Sequence, residues 1–192
     1  KYYVNRSDDG GLTYGPAIVA AIGGNKTGNI DVDQRDGTVY FFHQGPSPDD
    51  NQVRVAIGQP VSLAVPPAVY TVSVAATGRN PIAALFPVCK VASDGTLYVA
   101  YSDGGDAIFV SHSRDHGRTW GTPLRVSDLG HGSVSLMPWM ETGERPGSLA
   151  LVWYGTSPAD NELGLSGNND SSDWRVFYAH VVDATSSQPT AL

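Results

Sequence analysis

Two copies of one eight-residue turn motif, 106 residues apart, constrain the fold of this chain more than any other feature. Residues 113–120 read Ser-Arg-Asp-His-Gly-Arg-Thr-Trp, and residues 7–14 read Ser-Asp-Asp-Gly-Gly-Leu-Thr-Tyr. The Ser and Asp side chains of such a motif can accept hydrogen bonds from backbone N–H groups of the turn. Gly117 allows the positive φ of a tight reversal. Each copy therefore predicts a polar hairpin turn between two strands, ended by an aromatic residue that can pack on the sheet below.

Two further elements recur between these turns in a constant order. A glycine turn that leads into strand-like residues occurs at 36–40, 94–98 and 147–154, and a short segment precedes it each time, at 29–33, 86–88 and 137–139. Recurrence at a period of about 53 residues is typical of a repeat architecture. The chain also has 22 glycines and 13 prolines and no long amphipathic helical pattern. Each period is therefore predicted to hold about four short strands.

Four-stranded units at this period are typical of β-propeller blades. We predict an all-β fold in which residues 1–192 form a single partial propeller domain of about 3.5 blades. The predicted units are a blade remnant at 1–21 and three blades at 28–76, 84–127 and 133–183. A long polar loop is expected at 157–173, inside the last unit.

The motif Ser-x-Asp-x-Gly-x-Thr-Trp, with its Tyr-ended copy, resembles the Asp-box of the sialidase-like (bacterial neuraminidase repeat) propellers. The strings at 137–139 and 152–156 are also similar to secreted members of that group. The resemblance implies a six-bladed ring, a glycan-processing protein of the glycoside hydrolase type, and an extracellular or cell-surface location. It also implies a structural role for the box residues, because the family's boxes lie at outer turns away from the sugar pocket. These residues are Ser7, Asp9, Gly11, Thr13, Tyr14, Ser113, Asp115, Gly117, Thr119 and Trp120.

A sialidase site, by this resemblance, needs three arginines for the substrate carboxylate, a Tyr nucleophile polarised by a Glu, and an Asp acid/base. Guanidinium groups fit a carboxylate with two parallel hydrogen bonds, and a Tyr nucleophile is an exception among glycosidases. The second strands, at 40–43 and 98–101, contain no arginine. Candidate catalytic residues are Glu141, Glu144, Arg145 and Tyr154. An ordinary polar turn in front of an aromatic strand explains the same residues.

Two functions remain open. A half ring would leave an open sheet edge, so we expect another chain, another copy or a missing part of the polypeptide to complete the propeller. The completed ring would be an exo-sialidase-like enzyme acting on glycoconjugates. The alternative is a non-catalytic module that binds glycan or protein in a larger extracellular assembly. Four aromatic residues could stack on sugars or pack between blades; they are Trp139, Trp153, Tyr154 and Trp174.

Charge and composition exclude several partners. The net charge of −7 and pI near 5.0 argue against nucleic acid, and no apolar segment is long enough for a membrane span. The acidic glycine loop at 102–106 could hold Ca²⁺ through Asp103 and Asp106, although a simple hairpin turn explains it too. No other cofactor is expected, because the five histidines show no zinc spacing. The single cysteine, Cys89, is predicted to be a buried hydrophobe.

The start of the chain and three sequence patterns complete the expectations. The chain begins in strand-like residues without an initiator Met, which suggests a processed or partial product. N-glycosylation acceptor patterns begin at Asn5, Asn25 and Asn169.

Overall fold

The computed structural model describes residues 1–24, 26–62, 64–82, 86–127, 134–156, 174–186 and 189–191. These residues form strands and turns, without a helix, so the predicted all-β class is confirmed. Within the same ranges there is accordingly no helix that could cross a membrane. The loop expected at 157–173 and the acceptor residues Asn25 and Asn169 lie outside the described residues.

Fourteen strands follow one another in the described part of the chain. They are β1 (Tyr2–Val4), β2 (Ile18–Ala21), β3 (Thr27–Val32), β4 (Val39–Gln44), β5 (Gln52–Gly58), β6 (Tyr70–Thr77), β7 (Val88–Val91), β8 (Leu97–Asp103), β9 (Ala107–Ser113), β10 (Leu124–Arg125), β11 (Ser135–Thr142), β12 (Leu149–Thr156), β13 (Trp174–Val182) and β14 (Thr190–Ala191).

The strands form four antiparallel sheets, each built from consecutive strands. Sheet I contains β1 and β2, sheet II contains β3 to β6, sheet III contains β7 to β10, and sheet IV contains β11 to β14. Tight hairpins at glycines with positive φ, such as Gly37 and Gly95, join the first and second strands of sheets II and III. The propeller arrangement of these sheets stays a prediction.

Apolar side chains hold successive sheets together, face to face. One core cluster lies between sheets II and III and includes Tyr40, Phe42 and Leu97. A second lies between sheets III and IV and includes Tyr98 and Leu151. Because sheet III is covered on both faces, all seven residues of β8 are buried. In β12 the burial alternates along the strand, because the far face of sheet IV is exposed.

Polar side chains fasten the first strand of sheet II to the first strand of sheet III. The Asn29 amide donates to the carbonyl of Cys89 (2.9 Å) and accepts from its N–H (2.6 Å). Asp31 Oδ2 accepts from the N–H of Val91 at 2.8 Å. An edge strand presents unpaired backbone groups that must find partners. Here the neighbouring sheet satisfies the edge of β7 with side chains instead of another strand.

Replacing Asn29 with alanine tests this contact. Asn29→Ala would leave the N–H and the carbonyl of Cys89 without these partners, and Cys89 is fully buried. Each unsatisfied buried group costs about 1–3 kcal/mol. We expect the free energy of unfolding, measured by denaturant titration, to fall by about 2–4 kcal/mol. The control is Gln34→Ala, at an exposed position of the β3–β4 turn, which should change the free energy of unfolding by less than about 0.5 kcal/mol. Equal effects of the two substitutions would contradict the assignment.

Candidate functional site

The turn at 113–120 is closed by its own side chains. Ser113 Oγ accepts from the N–H of Gly117 (2.8 Å) and donates to Asp115 Oδ1 (2.8 Å). Asp115 also accepts from the N–H of Thr119 (2.8 Å) and from its hydroxyl (2.6 Å). The backbone takes positive φ at His116 and Gly117. The Ser and Asp oxygens are therefore engaged within the turn and are not directed at a ligand site.

The turn at 7–14 repeats this geometry. Ser7 Oγ accepts from the N–H of Gly11 at 2.7 Å, and Asp9 accepts from the N–H and hydroxyl of Thr13 at 2.9 and 2.6 Å. Gly10 takes the positive φ that His116 has in the other copy. The two turns therefore share the same hydrogen bonds and the same positive φ values at their fourth and fifth positions.

The hydrogen bonds to Asp115 affect its ionisation. Donation by the Thr119 hydroxyl and N–H, assisted by Ser113 and Arg118, lowers the pKa of Asp115 to about 2. An unfolded Asp has a pKa near 3.9. The unfolded chain therefore binds a proton here at a higher pH than the folded chain does. The stability that Asp115 contributes is complete above about pH 4 and is lost as the pH falls towards 2.

An isosteric substitution tests this acid dependence. Asp115→Asn removes the titrating carboxyl, so the stability difference between the natural chain and the variant should shrink as the pH falls from about 5 to 2. The measurement is the denaturant midpoint at several pH values. Asp106→Asn, at an exposed position outside the turn, is the control. A difference between the natural chain and Asp115→Asn that stays constant over this range would refute the proposed role of the carboxylate.

Trp120 and Tyr14 occupy the same position of the two turns but have different surroundings. The Trp120 indole N–H donates to the carbonyl of Gly117 at 3.1 Å. Its ring packs edge-on against Phe42 of sheet II, with ring centroids 5.9 Å apart. Tyr14 is 62% exposed. The terminal aromatic residue thus packs on a sheet, as expected, in the turn at 113–120, where sheet II lies beside Trp120.

Alanine substitutions at these two positions form a matched pair. Trp120→Ala removes a half-buried ring, and we expect unfolding free energy to fall by about 2–4 kcal/mol, at or below the usual cost for a buried aromatic residue. Tyr14→Ala should cost less than about 1 kcal/mol, as exposed substitutions do. Both are measured in denaturant melts. A loss below about 1 kcal/mol for Trp120→Ala would mean that the indole does not hold sheet III to sheet II.

The structure does not bring the candidate catalytic residues together. Tyr154 pairs with Leu136 across β11 and β12, whereas Glu141 pairs with Ala150. Glu141 is therefore five positions along β11 from the residue opposite Tyr154, which at the rise of a strand is roughly 15 Å. Glu144 and Arg145 are exposed in the β11–β12 turn, beyond Glu141. Among the described residues these four side chains do not form a Tyr–Glu–Arg site.

Glu141 has a different partner, which its position in the repeat explains. The strand registers place Asp31, Lys90 and Glu141 at equivalent points of β3, β7 and β11. Asp31 accepts from the N–H of Val91 in the next sheet, and Lys90 Nζ lies 2.7 Å from Glu141 Oε1 in the next sheet. This position therefore joins neighbouring sheets. The sequence analysis missed Asp31 and Lys90, although aligning the strand repeats could have found them.

The acidic loop proposed for calcium is already hydrogen-bonded. Asp103 is buried, and its two carboxylate oxygens accept from the N–H groups of Arg79 (3.1 Å) and Asn80 (3.0 Å). Asp106 is exposed, and its N–H donates to the carbonyl of Asp103 at 3.1 Å. Asp103 thus fixes the segment that leads towards β7. Calcium binding at this loop stays a prediction.

Sequence reasoning also missed a polar cluster between sheets II and III. The Tyr40 hydroxyl lies 3.0 Å from His116 Nδ1, and Asp36 Oδ2 lies 3.8 Å from the same nitrogen. Burial raises the pKa of Tyr40. Asp33 is buried and paired with Arg35 at 2.7 Å, and this contact lowers the pKa of Asp33. No local motif predicts the cluster, because the two segments are far apart in sequence.

The residue types of this cluster could hold a metal ion, but their contacts connect sheets II and III. Ligand atoms of Asp33, Asp36 and His116 lie within 4.8 Å of one another. However, Asp33 accepts hydrogen bonds from the Arg35 guanidinium, and His116 Nδ1 is hydrogen-bonded to the Tyr40 hydroxyl. Arg35 also donates to the carbonyl of Asp94 in sheet III. These bonds join the β3–β4 hairpin to the turn at 113–120 and to the β7–β8 hairpin of sheet III.

The turns at 7–14 and 113–120 join third and fourth strands, and the opposite ends of the sheets carry the loops between second and third strands. In sheet II this loop covers residues 45–51, and Arg54 lies beside it. Arg54 donates to Asp49 Oδ2 at 2.7 Å and to Gln52 Oε1 at 2.9 Å. Asp49 keeps about half of its side chain exposed (46%). The Arg54 side chain is 20% exposed, so the Asp49 carboxylate is the more exposed of the two groups and can accept hydrogen bonds from a polar ligand.

Comparison with known proteins informs the fold alone. No protein-family model matches the sequence, and no curated protein matches it either. A solved structure of a protein of unknown function from Dyadobacter fermentans DSM 18053 is similar over 79% of this chain, with a TM-score of 0.52 and 16% sequence identity. The match covers 44% of that chain, so the present chain spans less than half of its length. The chain is thus similar in fold to part of a larger protein.

Proposed function

We propose that this chain is a sector of an Asp-box β-propeller. Three four-stranded antiparallel sheets follow one another in the chain and pack face to face. Their first strands stand side by side, because Asn29 and Asp31 of β3 bind the edge of β7 and Lys90 of β7 pairs with Glu141 of β11. Two Asp-box turns of equal geometry support the family resemblance. Further blades come from another chain, another copy or a further part of the polypeptide.

We propose that the sector functions by binding and not by hydrolysis. The observation that carries this proposal is the separation of the candidate catalytic groups. Glu141 is paired with Lys90, and Tyr154 lies on an exposed apolar sheet face several residues away. Activation of a Tyr nucleophile requires a base within hydrogen-bond reach. The described residues offer Tyr154 no such arrangement with Glu141, Glu144 or Arg145.

The proposed binding surface is the loop end that contains Asp49 and Arg54. The Asp-box turns occupy the opposite end, where the Ser and Asp oxygens are used in the turns. A glycan or glycoconjugate, or a protein with a polar surface, would bind through hydrogen bonds to the half-exposed Asp49 carboxylate and to the Arg54 guanidinium, whose side chain is 20% exposed. We propose an extracellular or cell-surface setting for this module, on the resemblance alone.

Sialidase-like hydrolysis is the second candidate, favoured by the two Asp-box turns. In this case the arginine triad, the Tyr–Glu pair and the Asp acid/base would have to come largely from polypeptide outside the described residues. The sector would then supply rigid support for a pocket whose reacting groups lie on other blades.

Glycan binding and hydrolysis are distinguished by one set of assays. The isolated chain should show no turnover of a fluorogenic sialoside, and it should bind members of an immobilised glycan panel. Arg54→Ala should weaken that binding at least tenfold, since it removes a charge-assisted donor. Arg118→Ala, at the Asp-box end, should leave binding unchanged. Measurable sialoside turnover that Tyr154→Phe abolishes would contradict the binding proposal and support the second candidate.

A further inference from the structure

Among the described residues, sheet I has two strands, whereas sheets II, III and IV have four each. The Asp-box at 7–14 lies between β1 and β2, as the one at 113–120 lies between β9 and β10. By this correspondence β1 is the third strand of its unit and β2 the fourth. In sheet III the third strand, β9, pairs with both β8 and β10, but in the described chain β1 pairs with β2 alone. One edge of β1 therefore lacks the strand pairing that β9 has.

An apolar cleft of about 590 Å³ lies beside β1, between sheets I and II. It is lined by Val4 and Ile18 of sheet I and by Ile30, Val32 and Val39 of sheet II. Ile30 is 46% exposed. Because contiguous exposed apolar surface is costly, such a cleft beside a free strand edge indicates an interaction site.

The repeat shows what covers the equivalent surface in the other sheets. The strand registers make Ile30 equivalent to Cys89 of sheet III and to Met140 of sheet IV, and both of these are fully buried. Cys89 is covered by a cluster that contains Tyr40 and Phe42, from the second strand of the preceding sheet. Met140 is covered in the same way by Tyr98 and Ala100.

We propose that this cleft is a docking site for a two-stranded antiparallel β-hairpin, which pairs with the free edge of β1 and covers Ile30, Val32 and Val39. The hairpin supplies the first and second strands of sheet I. Its second strand places alternate apolar side chains over Ile30, as Tyr40 and Phe42 do over Cys89. The inference rests on the proposed propeller and names where one of its missing parts binds.

The occupant is a hairpin from polypeptide outside the described strands β1 to β14. The described strands β3 to β14 are all committed to sheets II, III and IV, so they do not supply it, and a second copy would have to dismantle a sheet to do so. The structure from Dyadobacter fermentans, in which the match covers 44% of the chain, shows that this fold occurs in longer polypeptides.

The repeat also predicts the register of docking. The offset of 106 residues makes Tyr3 equivalent to Phe109 and Val4 equivalent to Val110. In sheet III these pair with Tyr101 and Ala100 of β8. Residues 86–106 of this chain, which contain β7 and β8, are therefore a suitable probe. They end directly before the residue equivalent to Lys1.

The experiment is a chimera that carries a second copy of residues 86–106, with Cys89→Ser in the added copy, directly ahead of Lys1. Amide hydrogen exchange in β1, compared with the unextended 192-residue chain, is the readout. We expect at least one amide of Tyr2–Val4 to exchange about tenfold more slowly or better, since strand pairing protects it. The exchange of sheet IV amides reports that both proteins are folded.

Two matched variants make the result specific. Ile30→Glu in the cleft should abolish the added protection, and Val182→Glu, at a position of similar exposure (44%) on sheet IV, should leave it intact. A chimera with prolines at Val99 and Tyr101 of the added copy should give no protection, because proline cannot donate to a ladder. Unchanged exchange in β1, or equal protection in the Ile30→Glu and proline chimeras, would overturn the proposal.

The oligomeric state of the unextended chain tests the alternative occupant. If its native mass is that of a dimer and its β1 amides are already protected, the site binds a second copy and the proposal is wrong. A monomer with unprotected β1 amides is expected. The hydrogen-exchange and native-mass measurements do not depend on the sialoside and glycan assays. A failure of the binding function can therefore be distinguished from a failure of hairpin docking.

Discussion

The contact between sheets II and III depends on how side chains of β3 satisfy the open edge of β7. A four-stranded antiparallel sheet has two edges, and buried backbone groups at an edge cost free energy unless they are paired. The Asn29 amide hydrogen-bonds both the N–H and the carbonyl of Cys89, and the Asp31 carboxylate accepts from the N–H of Val91. These bonds are directional, so they set the relative position of sheets II and III, while the apolar cores between the sheets supply area without direction.

Equivalent positions in the repeat help to separate structural residues from functional ones. Glu141 looked catalytic in sequence because it precedes an aromatic strand and lies near Arg145. Its equivalents Asp31 and Lys90 both contact the following sheet, and Lys90 contacts Glu141 itself. A charged residue that recurs at one point of a repeat and binds the neighbouring repeat has a sufficient structural reason. Position in the repeat is therefore a better guide to role than local composition.

The sequence predicted the all-β class and the positions of the turns because those features depend on local chemistry. Ser113, Asp115 and Gly117 act within eight residues, so their pattern can be read directly. The bond between Tyr40 and His116 joins segments 76 residues apart. This hydrogen bond could be predicted only if the packing of sheets II and III were already known.

The same limit explains the candidate catalytic site and the two terminal aromatic residues. Tyr154 and Glu141 are close in sequence, but strand register decides that they are separated along the sheet. Tyr14 and Trp120 occupy identical motif positions, yet Phe42 stands beside Trp120 and Tyr14 is largely exposed. A motif specifies its own turn, and its environment depends on which sheet lies next to it.

The construction of each sheet from consecutive strands also has a consequence for how the chain folds. In sheets II, III and IV each strand pairs with the strand next to it in sequence. The paired residues are therefore closer in sequence than in most β proteins. Folding rates rise as sequence separation falls, and repeat proteins can begin folding in any one repeat and spread to its neighbours. Sheet III, which has a packed sheet on each face, is the natural place for a folding nucleus, and the Asn29 bonds to Cys89 would form when sheet II docks on it.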